Sequence, residues 1–284
     1  MRVENNGKYN NFNILRLIFS STVIISHSYP LTNNKEFFVE LTSGQIDLGV
    51  LSVNIFFIIS GFLIFKSLWY SKSMINYLWK RLLRLFPALF FMLISTLITV
   101  VLISNLGVLK QFDFYTYLPK NLSLYKLQGA INNIFENNPY PKAINGSLWT
   151  LHYEFTMYLL IIPLIIFKNI NRNIFLAIIF TLFLFSVYAS LFDSNLLENV
   201  INKFNLNPKQ FYRLLSYFIA GILLSLVNID KIKTNLNISI LVTVLLLSIY
   251  IGLYEFISPF ILPLIIILVG LSFNKYSWKF TEKL

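Results

Sequence analysis

The sequence predicts an all-α protein, a polytopic transmembrane helix bundle of about eight spans. Hydrophobic residues make up 56% of the chain and charged residues only 12%, roughly half the charged share of an ordinary soluble domain. The apolar residues gather in blocks of about 20, the length a helix needs to cross a ~30 Å hydrocarbon core. Most of the 23 lysines and arginines fall in the short segments between those blocks, as loops flanking membrane helices do.

The expected spans are about 12–30, 48–68, 85–105, 148–168, 173–192, 210–228, 236–253 and 256–273, in one domain over residues 1–284. The last two divide an apolar run of 38 residues (236–273) in which Glu255 is the only charge. One span cannot use that length, and Glu255, Ser258 and Pro259 are expected to supply the break. Residues 70–84, basic and aromatic, read as an interfacial amphipathic helix running into span three. Residues 106–147, rich in Asn, Tyr and Lys, form the one long loop, either a lid over the bundle mouth or a connector.

Lysine and arginine placement sets the expected orientation. With the N-terminus inside, the inner segments hold Arg2, Lys8, Lys66, Lys72, Lys80, Arg81, Arg84, Lys168, Arg172, Lys231, Lys233, Lys275, Lys279 and Lys283. The short outer loops hold only Lys35, Lys203 and Lys209. Both termini are therefore expected on the cytoplasmic side of the cell inner (plasma) membrane. The first eleven residues are polar and the first apolar run lacks a small-residue cleavage site, so no cleavable signal peptide is expected.

Composition excludes several kinds of chemistry. Cysteine is absent, so there are no disulfides or thiolate metal ligands. Two histidines and 12 carboxylates make a dedicated metal site unexpected. The net charge of +11 would fit nucleic acid, but the cations sit in short interhelical loops, where they serve topology and membrane lipid.

Four polar groups lie in or at the ends of apolar spans. Span one carries Arg16 and His27, eleven residues apart. At ~100° and ~1.5 Å per residue the two share a helix face and stand roughly 16 Å apart along the axis. Arg81 and Arg84, three apart, are neighbours on one face where span three begins. Asp47, Asn54 and the run Ser60-Gly61-Phe62 mark span two, and Asn145 to Glu154 leads into span four. Ionisable groups at membrane depth face a protein interior or a wet cavity.

On the expected topology Arg16, Arg81 and Arg84 gather at the cytoplasmic face as a receptor for phosphates, while His27 and Glu154 lie toward the outer half. A ligand anionic at one end and reactive at the other fits this, and coenzyme A has that form. His27 would be a general base toward an acceptor hydroxyl, and Glu154 would fix the histidine tautomer or bind acceptor hydroxyls. His152, about 160° from Glu154 on a helix, is read as interfacial. Arg213 reads as a snorkelling side chain, and Ser60-Gly61 as a site of close helix packing.

These motifs together resemble the membrane-bound acyltransferase-3 family. The resemblance rests on Arg16 followed by ten residues and His27, on Asn54-Ile-Phe-Phe-Ile-Ile-Ser-Gly-Phe-Leu-Ile64, on Arg81-x-x-Arg84 with Pro87, and on Trp149-Thr-Leu-x-x-Glu154. All four stand in the family's order and spacing, across nearly the whole chain. The family includes O-acetyltransferases of O-antigen, capsule, exopolysaccharide and nodulation factors. The resemblance implies acyl transfer from cytosolic acyl-CoA (acetyl-CoA) to a hydroxyl of a glycan or lipid-linked glycan, with no metal. It implies His27 as catalytic histidine and Arg16, Arg81 and Arg84 at the coenzyme A end. Trp149 and Glu154 would have an acceptor-side or structural role, and Asn54 would bind substrate. Family members usually have about ten spans and a later Ser-Tyr-Gly and histidine, so the chain is expected to be a C-terminally shortened copy. A polysaccharide transporter or flippase, or a polymerase, using the same charged cavity without acyl-CoA is the rival expectation.

Overall fold

The computed structural model describes residues 11–227 and 235–272. Among them are eleven α-helices and no strand. In order these are α1 (Phe12–Leu31), α2 (Phe37–Leu41), α3 (Leu48–Trp69), α4 (Met74–Ser104), α5 (Phe112–Leu122), α6 (Trp149–Leu160), α7 (Arg172–Leu191), α8 (Glu198–Lys203), α9 (Pro208–Leu226), α10 (Asn235–Tyr250) and α11 (Tyr254–Ser272). Six helical segments are long and apolar enough to cross a membrane: Phe12–Leu31, Leu48–Trp69, Met74–Ser104, Gly146–Asn169, Arg172–Leu191 and Tyr254–Leu271. With these, the chain is a multi-pass membrane protein. Arg2, Lys8, Lys231, Lys233, Lys275, Lys279 and Lys283, used above for orientation, lie outside the described residues.

α3 is the axis of the bundle. It is apolar all round, and such a helix belongs inside a bundle; Ile55, Ile58, Ile59, Phe62 and Ile64 are almost fully buried. α9 packs along it, α7 covers α9, and α1 lies against the other flank of α3. The approach of α3 to α9 is set by two glycines. A methyl group on Gly61 would collide with the Phe218 carbonyl, and one on Gly221 with the Ile58 carbonyl. Small residues allow such backbone contact between membrane helices, so Gly61 is where the chain packs closely.

α4 is one continuous helix of 31 residues. At ~1.5 Å per residue it runs about 46 Å, well beyond a ~30 Å apolar core. The basic segment expected to run into span three does so from Met74 as the first turns of α4, so Arg81 and Arg84 are fixed rigidly to the span that follows.

The break between α10 and α11 falls earlier than expected. Gly252, at φ +78°, ends α10, with Leu253 N–H donating to the Ser248 carbonyl at 2.7 Å and Gly252 N–H to Ile249 at 3.1 Å. That is the glycine-terminated closure of a helix C-terminus. Pro259 and Pro263 lie inside α11, so the left-handed glycine and not proline divides the run.

The C-terminal end of α1 is clasped to the start of α3. Ser26 Oγ donates to Glu36 Oε2 at 2.5 Å, Leu48 N–H donates to Glu36 Oε1 at 2.7 Å, and Gly49 N–H donates to Ser26 Oγ at 3.1 Å. The carboxylate supplies acceptors for a helix start that has no intrahelical ones. The long loop is folded: Tyr117, Leu124, Ile131 and Ile134 are buried, and Asn145 Nδ2 donates to Thr96 Oγ1 and Tyr117 OH, each at 2.8 Å.

Candidate active site

α1, α3, α4 and α6 surround a cavity of about 450 Å³. Its polar lining is Arg16 from α1, Ser60 from α3, Arg84 from α4, and Thr150, Glu154 and Tyr158 from α6; the rest is apolar. α4 contributes arginines at two successive turns. Arg81 stands one turn before Arg84, with Nη2 donating to Ser67 Oγ at 3.2 Å and its guanidinium 5.8 Å from the Tyr77 ring and 6.0 Å from the Tyr158 ring. Tyr77 OH donates to the Tyr158 carbonyl at 3.0 Å, which ties α4 to α6 at this level. The Tyr158 hydroxyl donates to Glu154 Oε1.

Arg16 lies within Coulombic reach of Arg84, Glu154 and Arg81. Three cations thus face one carboxylate. Arg16 Nη2 and Arg81 Nε are buried and have no hydrogen-bond partner. Buried polar groups are nearly always partnered; the free Arg16 N–H lines the cavity beside Arg84, and Arg81 stands one turn from Arg84 outside the lining, an arrangement that suits an anion's oxygens.

His27 is not part of this cavity. The Phe12 and Phe62 rings meet at 5.5 Å and Ser26 meets Gly49, so α1 and α3 run antiparallel in contact. The cavity lies at the level of Arg16 and Ser60. His27, next to the clasp, is exposed at the level where α3 begins. Glu154 was expected beside it, but α6 carries Glu154 about 8 Å down its axis, five residues on from its start. The carboxylate therefore sits among the arginines instead of pairing with His27.

Asn54 lines neither this cavity nor the second one described below. Its Oδ1 accepts from Arg213 Nη1 at 2.5 Å, and Arg213 is also held by Gln210. Asn54 is a tie between α3 and α9, and Arg213 turns inward to it instead of snorkelling outward. The arginine surroundings hold residues that spacing alone could have pointed to. Tyr77 precedes Arg81 by one helical turn and Tyr158 follows Glu154 by one, the interval at which helix side chains are neighbours.

With the geometry in view, comparison of the sequence decides the family. Residues 9–281 match the acyltransferase-3 family, described as an acyltransferase domain. The chain belongs to that family. An O-acetyl transferase of Shigella phage Sf6 is 35% identical over 153 residues, covering 54% of this chain and 45% of the relative. Nodulation protein 10 of Rhizobium leguminosarum bv. viciae is 29% identical over 170 residues, covering 55% of this chain and 44% of the relative. These matches span less than half the length of both curated relatives. No solved structure matches.

In this acyltransferase-3 member the stretch from Trp149 to Glu154 divides between two cavities. Glu154 faces the arginines, whereas Trp149, on the opposite face of α6, lines a second cavity with His152 and Tyr153. His152, expected at an interface, is 3% exposed.

Proposed function

We propose that this chain belongs to an O-acyltransferase that moves an acetyl group from acetyl-CoA to a hydroxyl of a cell-surface carbohydrate. The observation that carries the reading is the buried, unpartnered guanidinium N–H of Arg16 in a cavity that Arg84 also lines, with Arg81 and its own unpartnered Nε one helical turn from Arg84. Phosphates of coenzyme A are ligands of matching charge and geometry. The name of one relative, an O-acetyl transferase, agrees with the reaction class.

Arg16, Arg81 and Arg84 bind the phosphates. The pantetheine arm then extends along α1, and its thioester reaches the level of His27, roughly 16 Å from Arg16. His27 takes the proton of the acceptor hydroxyl as its oxygen attacks the thioester carbonyl. Collapse of the tetrahedral adduct breaks the carbon–sulfur bond, and the proton passes to the departing thiolate. Glu154 stands at the donor end, where it balances the arginine charge. The positive-inside count puts that end on the cytoplasmic side of the plasma membrane, both termini included.

The test is coenzyme A release from acetyl-CoA in membranes containing the chain, against His27→Ala at equal expression. Release that depends on His27 supports the reading. If the chain neither releases coenzyme A nor binds acetyl-CoA, the arginine cavity serves a polysaccharide transporter that needs no acyl donor.

A further inference from the structure

The second cavity, about 590 Å³, is walled by Lys120, Tyr125, Lys126 and Gln128 from the long loop, by Trp149, His152 and Tyr153 from α6, and by Asn205 and Asn207 before α9. Much of its polar lining is already committed. Tyr153 OH accepts from Asn207 N–H at 2.8 Å, Asn205 Nδ2 donates to the Tyr125 carbonyl at 2.6 Å, and Gln128 Nε2 donates to the Asp113 and Ala130 carbonyls at 2.9 Å. Two kinds of group remain. Lys120 and Lys126 bring two ammonium groups, and no carboxylate lines the cavity. His152, edge-on to Tyr125 at 4.6 Å, keeps a buried Nε2 without a hydrogen-bond partner.

Aromatic walls with a few convergent polar groups are the make-up of a ligand pocket. The aromatic faces of Tyr125 and Trp149 suit the apolar face of a sugar ring. The two ammonium groups suit an anion, and the orphan His152 nitrogen suits a hydroxyl. α6 separates this cavity from the arginine cavity, so a ligand here is not the reacting group itself.

We propose that the second cavity is a distal subsite for an acidic sugar, one bearing a carboxylate or a phosphate, in a glycan whose neighbouring residue is acylated. This rests on the carbohydrate-acceptor reading above. The glycan passes over the start of α6 at Trp149 and Thr150, the two residues that belong to the two cavities in turn. The anionic unit lies between Lys120 and Lys126 and the next sugar turns toward the donor. The subsite selects acidic glycans over neutral ones.

The experiment measures binding of trigalacturonate, glucose 1-phosphate and neutral galactotriose to the purified chain in detergent, with Lys120→Gln/Lys126→Gln beside the unaltered protein. Two partly exposed charge pairs contribute up to about tenfold in affinity. Trigalacturonate or glucose 1-phosphate binding about tenfold more tightly than galactotriose, with that margin lost in the double variant, supports the subsite. Whichever of the two anions binds identifies the carboxylate or the phosphate. If the double variant does not fold, the margin must instead shrink as salt rises, by screening of exposed charges. Equal binding of neutral and acidic glycans, binding indifferent to both lysines and salt, or no binding overturns the proposal. Acetyl-CoA binding to the unaltered chain reports the arginine cavity separately, so failure of this subsite is distinct from failure of the acyl-transfer reading.

Discussion

The Tyr158 hydroxyl donates to Glu154 Oε1 one turn away on α6, while the Tyr158 carbonyl accepts from Tyr77 of α4. One tyrosine thus fixes the carboxylate that opposes Arg16, Arg84 and Arg81. Glu154 offsets part of the mutual repulsion of the guanidinium groups, and on the proposed function it would repel the donor's phosphates. Glu154→Gln is expected to tighten acetyl-CoA binding by roughly fivefold, about 1 kcal/mol, a small part of the Coulombic interaction at partly buried distances. Titration calorimetry on the two proteins reads this directly. Weaker binding by the glutamine variant would mean that the carboxylate holds the arginines in place instead.

Arg81 tests the donor assignment from the other side. Its Nε is orphaned and its Nη2 is held by Ser67, so the guanidinium is set in place before any ligand arrives. Arg81→Ala should raise KM for acetyl-CoA at least tenfold, about 1.4 kcal/mol, and change KM for the acceptor little. Arg81→Lys should recover only part of the loss, because an ammonium is a point charge without the two-pronged donor geometry. Equal rises in both KM values would sink the assignment.

How much of this was legible beforehand depends on the kind of signal. Helices Leu48–Trp69 and Arg172–Leu191 are apolar over most of their length, and the hydrocarbon thickness sets that length, so composition alone locates them. The break at Gly252 was missed because proline is the louder helix breaker in a sequence. A lone glycine shows its left-handed role only through the 2.7 Å bond from Leu253 to Ser248. In the site, Arg81 and Arg84 follow from local spacing. The grouping of Arg16 with Glu154 does not, since it depends on how far α6 descends beside α1, a tertiary quantity. Asn54 is expected as a substrate ligand only through its place in the run that carries the family resemblance. Its partner is Arg213, 159 positions along the chain, and no local pattern announces that.

Gly61 and Gly221 face each other's helix backbones across α3 and α9. Backbone carbonyls cannot step aside as side-chain ends can, so Gly61→Ala and Gly221→Ala should each destabilise the bundle by about 3 kcal/mol, the upper end for overpacking. Gly129, with nothing within 4 Å of an added methyl, is the control, and Gly129→Ala should leave stability nearly unchanged. Thermal denaturation in detergent separates the three. A neutral Gly61→Ala would mean that α3 and α9 slide apart at little cost.

The clasp at the C-terminal end of α1 connects stability to the proposed chemistry. Glu36 is 7% exposed and accepts from both Ser26 Oγ and Leu48 N–H; Ser26 is the residue before His27. Glu36→Ala removes both acceptors and leaves the Leu48 N–H without one, a cost of about 2–3 kcal/mol. It also frees the end of α1 that carries the proposed base. A base displaced by even ~1 Å loses rate steeply while donor binding, settled at Arg16 and beyond, does not change. Glu36→Ala should therefore lower kcat by about tenfold or more per folded molecule with KM for acetyl-CoA unaltered. Glu36→Gln keeps a carbonyl oxygen for Leu48 N–H and should restore most of the rate, which a general loss of stability would not explain. If Glu36→Ala lowers Tm alone and the folded fraction turns over normally, the clasp holds the fold together and has no part in placing His27.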